Sequence, residues 1–344
     1  PQGATMSDPR VVVLGATGAV GQIALLVLEE RNFPISELRL VASERSVGKR
    51  LAFSGSEIAV ERFSPQILED SDIVFVSATD QISKDIGTIA ASSGCIMIDD
   101  SGVWRMDQSV PLVIPEVNSE DILTHEGIIS IPNCSTTTMV MALWPLHRVN
   151  PIKRILVSTY QSVSGTGAAA VAELRRQARS VSRGEDPRPE AYPHQIAFNV
   201  LPHIGSFGSD GYTSEEIKMI QETRKIMHSP DIAISATCVR VPVEISHSEA
   251  LTVEFTNPFT ADDARSVLES SPGVVVVDDP SMNLYPMPIN ASGRDETFVG
   301  RLREDKAFAN GLSMWVVSDN LRKGAATNAV QIAEQIVNKE AWLR

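Results

Sequence analysis

Cysteine is scarce in this chain: three in 344 residues, Cys95, Cys134 and Cys238, with no CxxC pair. That excludes a disulfide framework and argues against a structural zinc site. No metal is expected, and the pattern fits a reducing compartment such as the cytoplasm. No apolar run reaches the roughly 18 residues that a membrane helix needs. Excess positive charge is also missing: Lys and Arg number 30 against 43 Asp and Glu, a formal net charge of −13. Such a chain repels nucleic acid and anionic membrane surfaces. It can still take a small anionic substrate where local Arg and Lys prevail. The opening PQGATMSDPR has no hydrophobic core and is expected to be no signal peptide; PQGAT, ahead of Met6, reads as a processing remnant. There is no internal repeat and no low-complexity linker.

What is present points to two domains. Apolar residues make up 43% of the chain, enough for two cores. The first stretch alternates strand and helix. Val11 to Leu14 is an apolar β-branched run, Gly15 to Gly21 a glycine-rich turn, and Gln22 to Arg31 a helical pattern. Leu38 to Ala42, Asp72 to Ala78 and Cys95 to Ile98 read as further strands. Strands alternating with helices imply parallel βαβ units, hence an α/β, Rossmann-like dinucleotide-binding domain.

Past Ile152 the texture changes. KRILVSTYQSV and AISATCVRVPVEIS are long β-rich runs, and SEALTVEFTN alternates with period two, as a sheet with one exposed face does. Ala168 to Arg183 is helical, and Glu185 to Pro193 is a Pro-rich loop. This predicts an α+β domain on a large mixed sheet. Asn320 to Val337 reads as a strong helix. Its Ala325, Ala326 and Ala329 form a small-residue face suited to packing back on the nucleotide domain. The expected division is 1–133 with 321–344, and 134–320.

The turn GATGAVG places Gly15, Gly18 and Gly21 between a strand and a helix. Glycine allows close approach of the backbone to a pyrophosphate, and the helix start favours the anion. The spacing departs from G-x-G-x-x-G by one residue and alone is a weak motif, but its place after the first strand favours a dinucleotide. The expected cofactor contacts are Gly15, Thr17, Gly18, Ala19 and Val20. At the end of the second strand stand Ser43, Glu44, Arg45 and Ser46. Arg45 with Ser43 and Ser46 would cradle a 2′-phosphate, favouring NADP over NAD, although Glu44 is an awkward neighbour.

Cys95 and Cys238 lie inside apolar strand-like runs, where cysteine behaves as a small hydrophobe. Cys134 differs, since PNCSTTTMVMALWPL puts it at a helix start. There the dipole and backbone N–H groups ease thiolate formation and could hold an oxyanion. A thiol nucleophile beside a nicotinamide suggests thiolate addition to an aldehyde, hydride transfer, and resolution of a thioester by phosphate or water. That chemistry needs a base, usually histidine. Spacing does not choose among His125, His147, His194, His203, His228 and His247. His247 has the best context, ending the run ATCVRVPVEISHSE seven residues after Arg240.

GATGAVG, ASERSVGKR, VPLVIPEVN, PNCSTTT, STYQSVSGTG, EEIKM, ATCVRVPV with HSE, and DNLRKGAATNAVQIAE together resemble the aspartate-β-semialdehyde dehydrogenase family nearly end to end. The resemblance implies reversible conversion of β-aspartyl phosphate and NADPH to aspartate semialdehyde, phosphate and NADP, on the route to lysine, threonine and methionine. It implies Cys134 as acyl-thioester nucleophile, His247 as acid/base and Gln161 as the orienting amide. Arg240 would clamp the substrate carboxylate, Glu215 would help position substrate, and Lys218, Arg105 and Asn133 would face the phosphate. Ser164, Gly165 and Asn320 would contact the cofactor, Asn320 near the nicotinamide amide. Family members are dimers or tetramers, and the resemblance implies that the α+β domain is the catalytic and dimerisation domain.

Two segments depart from the family pattern. DDSGVWRM stands where relatives often read D-N-S-S-A-F-R-M, and SATDQIS where S-A-G-G-x-x-S is common. The related N-acetyl-γ-glutamyl-phosphate reductases usually carry N-P-G-C-Y, which is absent here. An acyl-CoA reductase would differ in phosphate dependence. A non-catalytic nucleotide sensor could lose Cys134, His247 or Gln161 freely, yet all three positions hold competent chemistry.

Overall fold

The computed structural model describes residues 8–339. The PQGAT segment and the outermost ends of the expected first domain lie outside the described residues. The chain divides into two compact units, Pro1–Pro132 with Ala325–Arg344, and Asn133–Gly324.

The first unit is built on a seven-stranded sheet, in the order β3-β4-β2-β1-β5-β6-β7. Its strands are β1 (Arg10–Leu14), β2 (Glu37–Val41), β3 (Arg50–Phe53), β4 (Ser56–Glu61), β5 (Ile73–Val76), β6 (Ile96–Asp99) and β7 (Ile128–Ser130). All pairs are parallel except β3 with β4. Helices α1 (Ala19–Glu30), α2 (Pro65–Glu69), α3 (Asp80–Ser93) and α4 (Pro115–Asn118) connect the strands. The order turns back between β1 and β5, the switch point where open α/β sheets hold ligands at strand carboxyl ends. Central strands buried on both faces are continuously apolar, as in Ile73–Val76.

Three details differ from the sequence reading. Helix α1 begins at Ala19 and not Gln22, because Gly21 belongs to its first turn. The β3–β4 hairpin is an element that reading lacked. Its two-residue turn, Ser54–Gly55, has positive φ at both positions, the geometry that suits the twist of a hairpin. The C-terminal helix opens with a π segment, Arg322–Ala326, before the α-helix Thr327–Asn338. Val330, Ile332, Ala333 and Ile336 of that helix join Val11, Val13, Phe75 and Ile98 in one core, and Asn328 Nδ2 donates to Val113 O at 2.8 Å.

The second unit holds a six-stranded mixed sheet. Its elements in chain order are α5 (Cys134–Val149), β8 (Ile152–Gln161), α6 (Ala168–Ser182), α7 (Ser214–Ile226), β9 (Ala233–Arg240), β10 (His247–Phe255), α8 (Ala261–Glu269), β11 (Val274–Val276), α9 (Pro288–Ala291), β12 (Thr297–Glu304) and β13 (Gly311–Ser318). The order is β11-β12-β13-β10-β8-β9, with β8–β9 and β11–β12 parallel and the rest antiparallel. β8 alternates strictly over most of its length: Ile155, Val157, Thr159 and Gln161 are covered, while Leu156, Ser158 and Tyr160 are exposed. The run ATCVRVPVEISHSE does not continue as one strand. β9 stops at Arg240, Pro242 and a turn follow, and His247 opens β10. His247 is therefore the first residue of a strand and not the end of a run, and β8 separates it from Arg240 in the sheet.

Candidate active site

Cys134 is the first residue of α5. Asn133 caps that helix, its Oδ1 accepting from Ser135 N at 2.9 Å and Thr136 N at 3.4 Å. Two first-turn N–H groups are thus spent on the cap, which corrects the expectation that they face an oxyanion. Asn133 Nδ2 donates to Glu215 Oε1 at 2.9 Å and its backbone N–H to Glu222 Oε2 at 2.8 Å. Gln161 Nε2 donates to the same Glu215 Oε1 at 3.0 Å, and Thr159 Oγ1 donates to Gln161 Oε1 at 2.9 Å. Glu215 therefore ties the helix cap to the end of β8. Lys218, one turn on, lies 3.8 Å from Glu215 Oε2 and remains 41% exposed.

His247 Nε2 lies 3.2 Å from Cys134 Sγ. The ring is fully buried, and burial first, then the Arg240 cation, pushes its pKa well below the ordinary histidine value. The other histidines with buried or paired rings have structural partners: His147 accepts from Ile152 N and meets Ser229 Oγ, and His125 accepts from Gly127 N. Arg240 is 5% exposed; its NH1 donates to Ser162 O at 2.7 Å and its Nε has no partner. Among the described residues no carboxylate pairs with it. A buried guanidinium in that state favours an anion. Gly165 leaves room there, since a Cβ on it would stand 3.2 Å from Arg240 NH1 and 3.4 Å from His247 Nε2. A Cβ on Gly324 would meet Cys134 Cβ at 2.9 Å.

Ser162 joins these groups and was not foreseen. It touches His247, Arg240 and Asn320. Thr159 and Glu222 were missed likewise. Lone polar residues at strand ends and on helix faces carry no spacing signature. Asn320 Oδ1 accepts from Ser162 Oγ, Ser164 Oγ and Ser246 N, so this end of the amide is committed within the protein.

Glu249 follows His247 by two on β10, on the same covered face. It is fully buried, neither carboxyl oxygen has a hydrogen-bond partner, and burial holds its pKa well above the usual range. Burial also lifts the Cys95 thiol to about 12 and raises that of Cys238, so both stay protonated and inert.

In the first unit the glycine turn is tightly built. Gly15 has φ +89°, a Cβ on it would meet Ser77 O at 2.1 Å, and one on Gly21 would meet Gly15 O at 2.3 Å. Gly18 caps α1 without a side-chain bond, so no side chain competes for the helix start. A narrow apolar cleft bounded by Val20, Gly21, Ser77 and Ala326 opens beside it. This cradle fits a dinucleotide pyrophosphate. Thr17 Oγ1 donates to Ser46 Oγ at 3.3 Å, linking the turn to the Ser43–Ser46 segment. Ser43 and Arg45 are exposed there, and Glu44 is paired with Arg62.

Arg105 is buried, with NH2 donating to Asp100 O at 2.8 Å. Its loop is docked on α3, where Asp80 Oδ1 accepts from Gly102 N at 3.1 Å. The two segments that depart from the family pattern thus meet each other. Burial raises Asp100 to about 6. Ser83 and Ser101 donate to Asp99, whose pKa burial also raises. Among the described residues no group of three or more His, Cys, Asp and Glu could hold a metal, and no helix is long and apolar enough to cross a membrane.

Two family models match the chain: semialdehyde dehydrogenase, NAD binding domain, over residues 10–125, and semialdehyde dehydrogenase, dimerisation domain, over residues 143–323. The chain is 54% identical over 334 residues to an aspartate-semialdehyde dehydrogenase of Aquifex aeolicus, covering 96% of this chain and 98% of the relative. It matches the crystal structure of aspartate semialdehyde dehydrogenase II of Vibrio cholerae complexed with ASA at TM-score 0.93 and 42% identity, covering 97% and 99% of the two chains. An aspartate semialdehyde dehydrogenase of Candida albicans solved with NADP matches at TM-score 0.75 and 26% identity, over 97% and 99%.

Proposed function

Because this chain belongs to the aspartate-semialdehyde dehydrogenase family, we infer that its catalytic centre is the pair of Cys134 and His247, served by Gln161. The activity is the reversible, NADPH-dependent reductive dephosphorylation of β-aspartyl phosphate to aspartate semialdehyde, in lysine, threonine and methionine biosynthesis. The observation that carries the site is Cys134 Sγ at 3.2 Å from His247 Nε2, near a buried Arg240 that lacks a carboxylate partner.

In the synthetic direction Cys134 Sγ attacks the acyl carbon, phosphate leaves, and the aspartyl group stays on sulfur as a thioester. NADP, when bound, supplies hydride exchange at that carbon. His247 Nε2 takes the thiol proton before attack and returns a proton when the hemithioacetal collapses to aldehyde. Arg240 binds the substrate carboxylate with its planar fork. Gln161, held by Glu215 and Thr159, orients the reacting carbonyl. Arg105, Lys218 and Asn133 serve the phosphate: Lys218 as a point charge, Asn133 with what its capping role leaves over.

Gly15, Thr17, Gly18, Ala19 and Val20 hold the pyrophosphate, and Ser43, Arg45 and Ser46 the 2′-phosphate. Ser164, Gly165 and Asn320 line the nicotinamide end, Asn320 with its Nδ2. The exposed face of the six-stranded sheet, which carries Leu156 and Tyr160, supports a homodimer or a homotetramer. The charge balance and cysteine usage favour the cytoplasm. The decisive experiment is NADPH formation from aspartate semialdehyde with and without phosphate. Turnover that ignores phosphate would refute the acyl-phosphate step.

A further inference from the structure

His247 Nδ1 faces two groups of Ser162, the backbone N–H at 3.1 Å and Oγ at 3.0 Å. They ask for opposite protonation states. The backbone N–H only donates, so it favours a bare Nδ1 and places the ring proton on Nε2, towards Cys134 Sγ. A neutral ring in that form has no lone pair to take the thiol proton. The Ser162 hydroxyl can accept. When it accepts from Nδ1–H, Nε2 turns its lone pair to the sulfur. The direction of the Ser162 hydroxyl proton therefore bears on which form is held, alongside the backbone hydrogen bond to Ser246.

Asn320 fixes that direction. Its Oδ1 lies 3.1 Å from Ser162 Oγ, 3.1 Å from Ser164 Oγ and 2.9 Å from Ser246 N. Ser246 N–H can only donate, so the atom facing it must be the amide oxygen, and a flipped amide would set donor against donor. The oxygen draws the Ser162 hydroxyl proton to itself and turns a Ser162 lone pair towards His247. Ser162 and His247 are 0% exposed and Asn320 2%, so water does not compete.

We propose that Asn320, acting through Ser162, shifts His247 towards the form with the ring proton on Nδ1 and the lone pair on Nε2 facing Cys134, against the Ser162 backbone N–H that favours the other form. The proposal rests on the reading of Cys134 as nucleophile and His247 as its base. In the proton transfer the Cys134 S–H bond breaks, its electron pair stays on sulfur, and the proton forms a bond to Nε2. The imidazolium then donates Nδ1–H to Ser162 Oγ, whose own proton stays on Oγ and is donated to Asn320 Oδ1. The ionisable groups around the ring are Cys134 on α5, Arg240 on β9, and Glu249 further along β10. Arg240 and burial oppose the imidazolium, and the Ser162–Asn320 pair offsets them. Both are positioning residues.

The test is alkylation of Cys134 by iodoacetamide across pH, read by peptide mass on the full chain without substrate or cofactor. Ser162→Ala keeps the opposing N–H and removes the hydroxyl. It should slow alkylation about tenfold near pH 7 and move the midpoint up by roughly one unit, the scale of one hydrogen bond to a charged group. The acidic limb of kcat should move with it. Asn320→Asp keeps the acceptor and adds negative charge, so its midpoint should fall. A midpoint in Ser162→Ala equal to that of the parent overturns the proposal. So does a rise in Asn320→Asp, which decides the matter if Ser162→Ala does not fold. Failure of the underlying reading looks different: Cys134 would then alkylate no faster in the parent than in His247→Asn.

Discussion

The strands that hold Cys95 and Cys238 and the helix start that holds Cys134 present the same side chain to opposite surroundings. On or beside the strands, sulfur is packed among apolar atoms and both thiols are pushed up, one to about 12. At the start of α5 the thiol is partly accessible and a histidine nitrogen stands 3.2 Å away. Reactivity here belongs to the place and not to the residue. Polar contacts from three elements converge on the place: the cap of α5, the end of β8 and the start of β10.

The sharpest way to break that contrast is substitution of each cysteine. Cys134→Ala should lower kcat on the order of 10³-fold or more, while Cys95→Ala and Cys238→Ala keep most activity and lose about 1 kcal/mol of stability. A few per cent of parental kcat surviving in Cys134→Ala would contradict covalent catalysis. Next in size is Arg240→Lys, which keeps the charge and loses the fork. It should cost about 1.5–3 kcal/mol in kcat/KM for aspartate semialdehyde. Lys218→Ala, at a half-exposed site, should chiefly raise KM for phosphate. The opposite pattern in steady-state kinetics would exchange the two roles.

Arg45→Ala tests the other unit. It should weaken NADP binding about tenfold in Kd, the lower end of a charge-assisted hydrogen bond, and leave NAD unaffected; equal losses by titration calorimetry would remove Arg45 from the 2′-phosphate. The smallest expected effect is on stability. Asp100 titrates near 6 in the fold against an ordinary 3.8, so the folded state binds the proton more tightly. Its cost to stability appears as pH rises through that window and persists above it. Asp100→Asn should therefore raise Tm by an amount worth about 1 kcal/mol above about pH 6, a gap that closes below about pH 4. An equal gap at both ends of the range would mean that charge is not the cause.

Much of this was legible in the sequence because it depends on local rules. The glycine turn, the helix start at Cys134 and the period-two run SEALTVEFTN, whose residues Ser248 to Phe255 lie in β10, are each set by a few adjacent residues. His247 was singled out by its place near Arg240 and by family resemblance and not by spacing from Cys134, which lies 113 positions away. The hairpin at Ser54–Gly55 carries a turn dipeptide that marks such elements, in a stretch between the Ser43–Ser46 segment and Asp72 to which the sequence reading assigns no element. Ser162, Thr159 and Glu222 could not be read in advance. Their roles come from strands brought together by the sheet, and Ser162 matters because Asn320 is 158 residues away. The break of the β-rich run at Pro242 is a case of backbone chemistry overruling pattern, because proline lacks the N–H that would continue the ladder of β9.

Glu249 couples folding of this chain to proton uptake at one buried position. Burial without a hydrogen-bond partner raises its carboxyl pKa in the fold well above the ordinary glutamate value, so over that window the folded chain holds a proton that the unfolded chain has released. The native state then carries one more proton at this position, and the associated stability falls by about 1.4 kcal/mol per pH unit above the ordinary glutamate range, until the folded group itself ionises. The proton must come from the solvent, so the heat of unfolding at fixed pH should change with the ionisation enthalpy of the buffer. Glu249→Gln, which has nothing to protonate, should remove its share of that dependence. Over that window the same residue ties the folded fraction of this enzyme to the acidity of the medium.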